Sequence, residues 1–124
     1  MEQLIIEGEH PLYGEVNING AKNAAVAIIP AAVMANGKCI IDNLPGIEDI
    51  SKLVDILTKL GAKCSFDGIH RLIIDSSKID KYKAYYDSVR EIRASYYLLG
   101  SLLGRFGRAE VALPGGCNFG DRPI

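Results

Sequence analysis

The feature that most constrains the fold is a unit that occurs twice, about 70 residues apart, in a chain of 124 residues. In each copy, a basic residue near the start of a predicted helix is followed by small side chains, a Gly-basic pair, a strand and a Leu-Pro-Gly turn. The first helix ends at Gly37 before the turn at residues 44–46, and the second ends at Gly107 before the turn at residues 113–115. Repeats of one supersecondary unit need neighbours to bury their apolar faces. The chain therefore predicts a fold assembled from stacked units.

Hydrophobic periodicity gives this unit the outline β-α-β-α-β-β, and the chain holds about one and a half such units. Pro30 lies inside the first predicted helix, where it removes a backbone donor and should produce a kink. Cys39 and Cys64 lie in apolar strands and are expected in the core. The predicted strands are residues 14–20, 38–42, 62–66, 71–75 and 109–113, and the predicted helices are residues 22–35, 48–60 and about 88–106. The last helix should bury Val89, Ile92, Tyr96, Leu99, Leu103 and Phe106.

Composition excludes several classes of protein. Fourteen Lys and Arg against 15 Asp and Glu give a net charge of −1, too little positive charge for a nucleic acid to be the main partner. The longest nearly uncharged stretch, residues 23–37, is too short to span a membrane, and the N-terminus does not resemble a secretory signal. Three Cys and two distant His argue against a disulfide framework and a metal site. These observations predict a cytoplasmic protein.

Cys117 is the clearest candidate for chemistry. It lies in a loop with three glycines, and Arg122 follows five residues later. Backbone amides and a guanidinium group both lower a thiol pKa, which would suit a nucleophile or an acid. The alternative is a tight turn in which a small Cys is simply packed.

Two cationic positions in helices point to an anionic ligand. Lys22 and Asn23 begin a helix, where free amides and an ammonium group attract phosphate or carboxylate, unless this is an ordinary exposed helix start with Asn23 as its cap. Arg93 shares a helix face with Gly100 and Gly104, which leaves room for a ligand or, alternatively, for tight helix packing. With Arg122, these groups provide three cations and one thiol for an anionic substrate.

Together, residues 20–25, 92–95 and 113–123 closely resemble the UDP-N-acetylglucosamine 1-carboxyvinyltransferase family, and the resemblance extends from residue 1 to residue 124. This bacterial family transfers enolpyruvyl from phosphoenolpyruvate to the 3-hydroxyl of UDP-N-acetylglucosamine, the first committed step of peptidoglycan precursor synthesis. The resemblance implies an enzyme with an inside-out α/β barrel of repeated βαβαββ units. Residues 1–21 would be strands of the second domain, and residues 22–124 an incomplete N-terminal part of the domain that carries the catalytic loop.

The resemblance also assigns roles to individual residues. Cys117 would be the loop cysteine that delivers a proton to the enolpyruvyl methylene and forms a covalent adduct with phosphoenolpyruvate. Asp121 departs from the family pattern, which more often has a small residue before the Arg. No cofactor and no metal are implied. Phosphoenolpyruvate would contact Lys22, Asn23 and Arg122, and UDP-N-acetylglucosamine would contact Asn23, Arg93, Arg122, Pro123 and Ile124.

Two other interpretations stay open. One is the sister enzyme that transfers enolpyruvyl to shikimate 3-phosphate, although the loop cysteine argues against it. The other is a non-catalytic piece, either an anion-binding fragment or a split half that needs a partner. Because the family enzymes are several times longer, the expected partners are the two substrates and the remainder of the enzyme chain. The chain alone is expected to be inactive and, with apolar surface exposed where further repeats would stack, to self-associate.

Overall fold

The computed structural model of the chain describes residues 3–113, and from the first helix onward its elements follow the predicted order with one additional short strand, β4 (Lys83–Ala84). Two short 3₁₀ turns extend helices in both copies of the repeat. Cys117, Arg122, Pro123 and Ile124 lie outside the described residues. The helices are α1 (Lys22–Ala31), α2 (Glu48–Leu60), α3 (Asp87–Glu91) and α4 (Tyr97–Phe106), the 3₁₀ turns are Ala32–Ala35 and Arg93–Tyr96, and the strands are β1 (Lys38–Ile41), β2 (Lys63–Phe66), β3 (Leu72–Asp75), β4 (Lys83–Ala84) and β5 (Glu110–Val111).

The first predicted helix forms in two pieces. Pro30 is the penultimate residue of α1, and the chain tightens into the 3₁₀ turn immediately after Ala31. Since Pro30 has no N–H to donate to the preceding turn, the α-helical hydrogen bonding weakens there. Asn36 then takes a left-handed conformation (φ 48°) and ends the helical segment.

A three-stranded antiparallel sheet in the order β1-β3-β2 packs beside the helices. The predicted hairpin of β2 and β3 is confirmed, and its turn is organised by Asp67, whose Oδ1 accepts the N–H groups of Ile69, His70 and Arg71 at 2.8–3.0 Å. Cys39 and Cys64 are half-buried rather than in the core, which corrects the prediction for both. The core forms where α2 packs against α1 and the sheet, and its largest fully buried side chains include Ile29, Ile50, Leu53, Ile56, Leu57, Leu60, Leu72 and Ile74.

The long helix predicted over residues 88–106 is interrupted, and this changes the face that it buries. Ile92 adopts an extended conformation (φ −126°, ψ 132°), so α3 ends before it and a new helical segment starts after it. The interruption shifts the helical phase. Leu98 and Leu102 are fully buried, whereas Leu99 and Leu103, which were predicted to be buried, are about half exposed.

The strand predicted over residues 14–20 is not formed. Residues 3–20 carry no regular secondary structure, and Val16 and Ile18 are 87% and 88% exposed. A strand needs a neighbour to receive its hydrogen bonds, and none of the described strands pairs with this segment. The assignment of residues 1–21 to a second domain stays a prediction.

Helices α1 and α4 run parallel, and this arrangement positions the candidate site. Arg105, near the C-terminal end of α4, donates hydrogen bonds to Val33 O at 2.8 Å and Asn36 Oδ1 at 2.9 Å, just beyond the C-terminal end of α1. Gly107 (φ 67°) ends α4 with the same left-handed conformation that Asn36 adopts. The two copies of the repeat therefore place both helix C-termini at one end of the molecule and both N-termini at the other.

Candidate anion-binding site

Lys22 and Arg93 occupy equivalent positions in the two repeats. Each is the first residue of a helical segment, and each follows a residue in extended conformation, Ala21 (φ −72°, ψ 133°) and Ile92. Both side chains are exposed, and α1 also packs against the 3₁₀ turn that Arg93 begins. The fold therefore brings two of the predicted cationic residues to the same end of the parallel helices.

The charge at these positions opposes helix stability. The N-terminal end of a helix carries partial positive charge, so a carboxylate stabilises it and a cation does not. Helix α2 follows this rule with Glu48 and Asp49 in its first turn. By contrast, no acidic residue lies in the first turn of α1, at the start of the 3₁₀ turn Arg93–Tyr96, or in the first turn of α4. Cations combined with backbone N–H groups create a surface that attracts anions.

Lys22 has a defined partner in the structure. Its Nζ lies 2.8 Å from Asp49 Oδ2, and the side chains of Lys22 and Asp49 are 56% and 27% exposed. The path of the chain into α1 depends on Gly20, because a Cβ atom there would lie 1.9 Å from the carbonyl oxygen of Asn43. A glycine is therefore required where the chain entering α1 crosses the segment that leads from β1 to α2.

A second ion pair connects α2 to the segment that carries Arg93. Lys52 Nζ lies 3.0 Å from Glu48 Oε1 and 3.4 Å from Glu91 Oε2, two residues before Arg93. The hydrogen bond that Lys52 donates to Glu48 raises the pKa of Lys52, desolvation opposes this rise, and the bond that Lys52 donates to Glu91 adds to it. The first half of α2 thus contacts Lys22 directly and contacts the segment that precedes Arg93.

The other predicted residues meet different outcomes. Asn23 is exposed, and within the described structure no side chain caps α1, so the alternative role of Asn23 as a cap is not observed.

Strands β4 and β5 pair in parallel, and α4 lies between them in the chain. Because the helix of such a crossover runs back against the strands, β5 runs toward the N-terminal end of α4. The last described residues, 112 and 113, follow β5, and Cys117 and Arg122 lie outside the described residues. Asp49 was missed as a site residue because its pairing with Lys22 depends on tertiary structure.

Two cavities differ in their relation to these cations. A cavity of about 180 Å³ lies beside the first turns of α1 and is lined by Gly20, Ala24, Ile28 and Asn43, among others. A larger open groove of about 510 Å³ lies near β4 and is lined by residues 80–83, Tyr85 and Tyr86. Tyr86 donates a hydrogen bond to Lys59 O, at the C-terminal end of α2, so this groove lies at the end opposite Asp49.

Residues 3–113 contain no group of three or more His, Cys, Asp and Glu side chains arranged to hold a metal ion. Among the same residues, no helix combines the length and apolar character needed to cross a membrane.

Residues 6–124 match the family EPSP synthase (3-phosphoshikimate 1-carboxyvinyltransferase). The chain belongs to this family. Relatives named UDP-N-acetylglucosamine 1-carboxyvinyltransferase match its whole length, with 51% identity over 126 residues to an enzyme of Clostridium acetobutylicum and 53% over 125 residues to one of Clostridium botulinum. The chain spans about 30% of the length of each.

Among solved structures, the enolpyruvyl transferase NikO from Streptomyces tendae matches 79% of the chain with a TM-score of 0.69 and 33% identity, over 23% of its own length. The predicted α/β fold of the enolpyruvyl transferase type is therefore confirmed. The relatives' names also support the resemblance to UDP-N-acetylglucosamine 1-carboxyvinyltransferases over the shikimate enzyme that gives the family its name.

Proposed function

We propose that the chain is the N-terminal part of an enzyme that transfers enolpyruvyl from phosphoenolpyruvate to the 3-hydroxyl of UDP-N-acetylglucosamine. The observation that carries the proposal is the position of Lys22 and Arg93. The fold presents both cations at the N-terminal end of parallel helices, where they do not stabilise the helices but suit two anionic substrates. The relatives that match the whole chain bear the name of this activity.

The reaction needs cations at its phosphate groups. The sugar hydroxyl adds to C2 of phosphoenolpyruvate and loses its proton to a base, while C3 gains a proton. The resulting tetrahedral intermediate then loses a proton from C3 and breaks its C2–O bond to release inorganic phosphate. Lys22 and Asn23 bind the phosphate group and stabilise the charge that grows on it as it leaves. Arg93 binds the nucleotide sugar, whose diphosphate is also anionic.

The remaining roles belong to the segment that follows β5. Cys117 donates the proton to C3 and forms the covalent adduct with phosphoenolpyruvate, and Arg122 contacts both substrates. Pro123 and Ile124 contact the nucleotide sugar. Asp121 places a carboxylate next to Arg122 in the sequence, so the hold of Arg122 on phosphate is expected to be weaker than with a small neighbour.

The chain alone is proposed to be inactive, because the carboxyvinyltransferases it matches are more than three times longer. A site that excludes water needs walls on every side of the substrates, and a chain that spans about 30% of its relatives' length is not expected to supply them all. We place the enzyme in the cytoplasm, where both substrates are available. A non-catalytic fragment that binds anions is the second candidate, favoured by the same Lys22 and Arg93 placement if no transfer occurs.

Phosphate release tests the proposal. The complete gene product should release inorganic phosphate when phosphoenolpyruvate and UDP-N-acetylglucosamine are both present, and the 124-residue chain should not. Lys22→Gln should abolish release in the complete protein, whereas Lys38→Gln, an exposed lysine on β1, should leave it unchanged. Release with shikimate 3-phosphate in place of the nucleotide sugar would assign the sister activity. If neither acceptor led to phosphate release, the second candidate function, a non-catalytic fragment that binds anions, would be favoured.

A further inference from the structure

The ion pair between Lys22 and Asp49 connects the first turns of two helices that are distant in sequence. Of the other lysines on α2, Lys59 pairs with Asp55 one turn away and supports the helix locally, whereas Lys52 pairs with Glu48 on the same helix and also with Glu91 of α3. A pair between helices fixes the direction of a side chain relative to the fold. We propose that Asp49 is a positioning residue that holds the Lys22 ammonium in place to receive the phosphate group of phosphoenolpyruvate, an inference that rests on the proposed function.

The stability of α2 does not account for Asp49 by itself. The N-terminal end of α2 already has Glu48, which supplies negative charge to the helix dipole from the same turn. Glu48 pairs with Lys52 at 3.0 Å, and Lys22 pairs with Asp49. The two adjacent carboxylates thus have different partners, which gives the chain a matched control for the loss of one negative charge.

The exposures of the two side chains fit a positioning role. The Asp49 side chain, in the first turn of α2, is 27% exposed, whereas the Lys22 side chain is 56% exposed and is accessible to solvent. An ammonium group has three donors, so a bond to Asp49 leaves two for a phosphate oxygen. A lysine side chain loses much rotamer freedom when it is fixed, and here the fold imposes that cost before the ligand arrives.

The first measurement examines the pair itself in the 124-residue chain. A short pulse of acetic anhydride, read by mass spectrometry, gives the acetylation rate of Lys22 relative to Lys38. Asp49→Asn should raise this ratio about two- to fivefold, which corresponds to the contribution of a partly exposed ion pair. Glu48→Gln should leave the Lys22 ratio unchanged. An unchanged ratio in Asp49→Asn would overturn the proposal, because Asp49 would then not hold Lys22 in solution.

The second measurement examines the consequence for the ligand in the complete gene product. Asp49→Asn should raise KM for phosphoenolpyruvate about two- to fivefold without changing KM for UDP-N-acetylglucosamine, since only Lys22 loses its position. Asp49→Glu keeps the charge and should recover most of the loss. Glu48→Gln should retain the parent KM values, and its melting temperature provides the reference for any loss of stability in Asp49→Asn.

These outcomes separate the inference from the proposed function. A parent protein that transfers enolpyruvyl, with faster Lys22 acetylation but the parent KM in Asp49→Asn, would overturn the positioning role and leave the function intact. A selective rise in KM for phosphoenolpyruvate would support both. A parent that releases no phosphate would overturn the proposed function and, with it, the role of the pair toward phosphoenolpyruvate. The acetylation ratio would still show whether Asp49 fixes Lys22.

Discussion

Arg105 connects the two repeats through hydrogen bonds. Its guanidinium group donates to Val33 O and Ser76 O at 2.8 Å, and to Ile79 O and Asn36 Oδ1 at 2.9 Å. Three of these acceptors are backbone carbonyls, one within the 3₁₀ turn after α1 and two in the segment after β3. One side chain therefore satisfies four acceptors from two segments, because the planar guanidinium presents five donors in a fixed geometry.

Replacing Arg105 should reveal this role in the stability of the chain. Arg105→Met keeps much of the apolar stem and removes every donor, so the free energy of unfolding should fall by about 2–3 kcal/mol. Arg105→Lys should recover a minor part of the loss, since an ammonium cannot reach all four acceptors. Urea unfolding followed by circular dichroism measures both variants. The control is Arg108→Met, at an exposed arginine that pairs with Glu110, and it should shift the urea midpoint little. Equal midpoints for the two Met variants would contradict the assignment.

The three cysteines should differ in their reactivity. Burial raises the pKa of the Cys64 thiol above its usual 9.0, opposed by a hydrogen bond with Thr58. A raised pKa leaves less thiolate, which is the nucleophilic form.

In the complete gene product, maleimide or an epoxide should label Cys117 much faster than Cys64 or Cys39. Cys117→Ser should abolish the covalent adduct with phosphoenolpyruvate, whereas Cys117→Asp keeps an acid and should retain some turnover without epoxide sensitivity. Mass spectrometry of the labelled protein decides, and equal labelling of all three cysteines would remove support for the role of Cys117.

At the scale of elements, the β2–β3 hairpin depends on a carboxylate. The backbone N–H groups of Arg71, Ile69 and His70 lower the pKa of Asp67 below its usual 3.8. Because the folded pKa is depressed, the stabilisation is present above pH 3.8 and is lost as the pH falls through the folded value. Asp67→Asn keeps an acceptor oxygen without the charge, so the loss of stability between pH 6 and pH 3 should be smaller than in the parent. Urea midpoints at the two pH values measure it. Asp80→Asn, at an exposed carboxylate outside the hairpin, should keep the pH dependence of the parent.

Two glycines inside α4 give a second test at this scale. A Cβ atom at Gly100 would meet nothing within 4 Å, whereas one at Gly104 would lie 2.9 Å from Met34 Sδ. Gly100→Ala should therefore stabilise the chain by about 0.5–1 kcal/mol through helix propensity, and Gly104→Ala should gain less because Met34 must move. In a Met34→Ala background the two substitutions should become equal. Thermal unfolding of the four variants measures this, and a larger gain at Gly104 in the parent background would contradict the structure.

The sequence predicts elements better than it predicts their faces. The repeat, the β2–β3 hairpin and α2 could be read from periodicity and turn residues, because local interactions determine them. The break at Ile92 could not, since nothing in the local pattern marks an extended residue inside a helical stretch. Because of that one residue, Leu98 and Leu102 are buried in place of Leu99 and Leu103, which the uninterrupted helix would have buried. In the candidate site, the motifs identify Lys22 and Arg93, but the partner Asp49 depends on how α2 meets α1.

At the scale of the whole molecule, the two repeats form a structure with open apolar surfaces. Leu99 and Leu103, one turn apart on α4, are 49% and 53% exposed, and Ile28 of α1 is 51% exposed. Residues 3–20 add further exposed apolar side chains, among them Leu4, Ile5, Ile6, Leu12 and Tyr13. Soluble proteins rarely leave such surfaces in contact with water. The relatives continue for more than twice the length of this chain, which is consistent with further units that stack on it.

The 124-residue chain is therefore expected to self-associate through the exposed face of α4. Removing apolar area weakens such association, so Leu99→Gln with Leu103→Gln should shift the sedimentation equilibrium toward monomer. Each substitution lies on a half-exposed helix position, where glutamine is well tolerated. The matched control is Ile69→Gln, at a somewhat more exposed apolar residue (61%) in the β2–β3 turn, which should leave the association unchanged. Analytical ultracentrifugation over a range of concentrations measures the shift. A parent chain that stays monomeric at high concentration would contradict this prediction, because the exposed leucines of α4 would then be compatible with water.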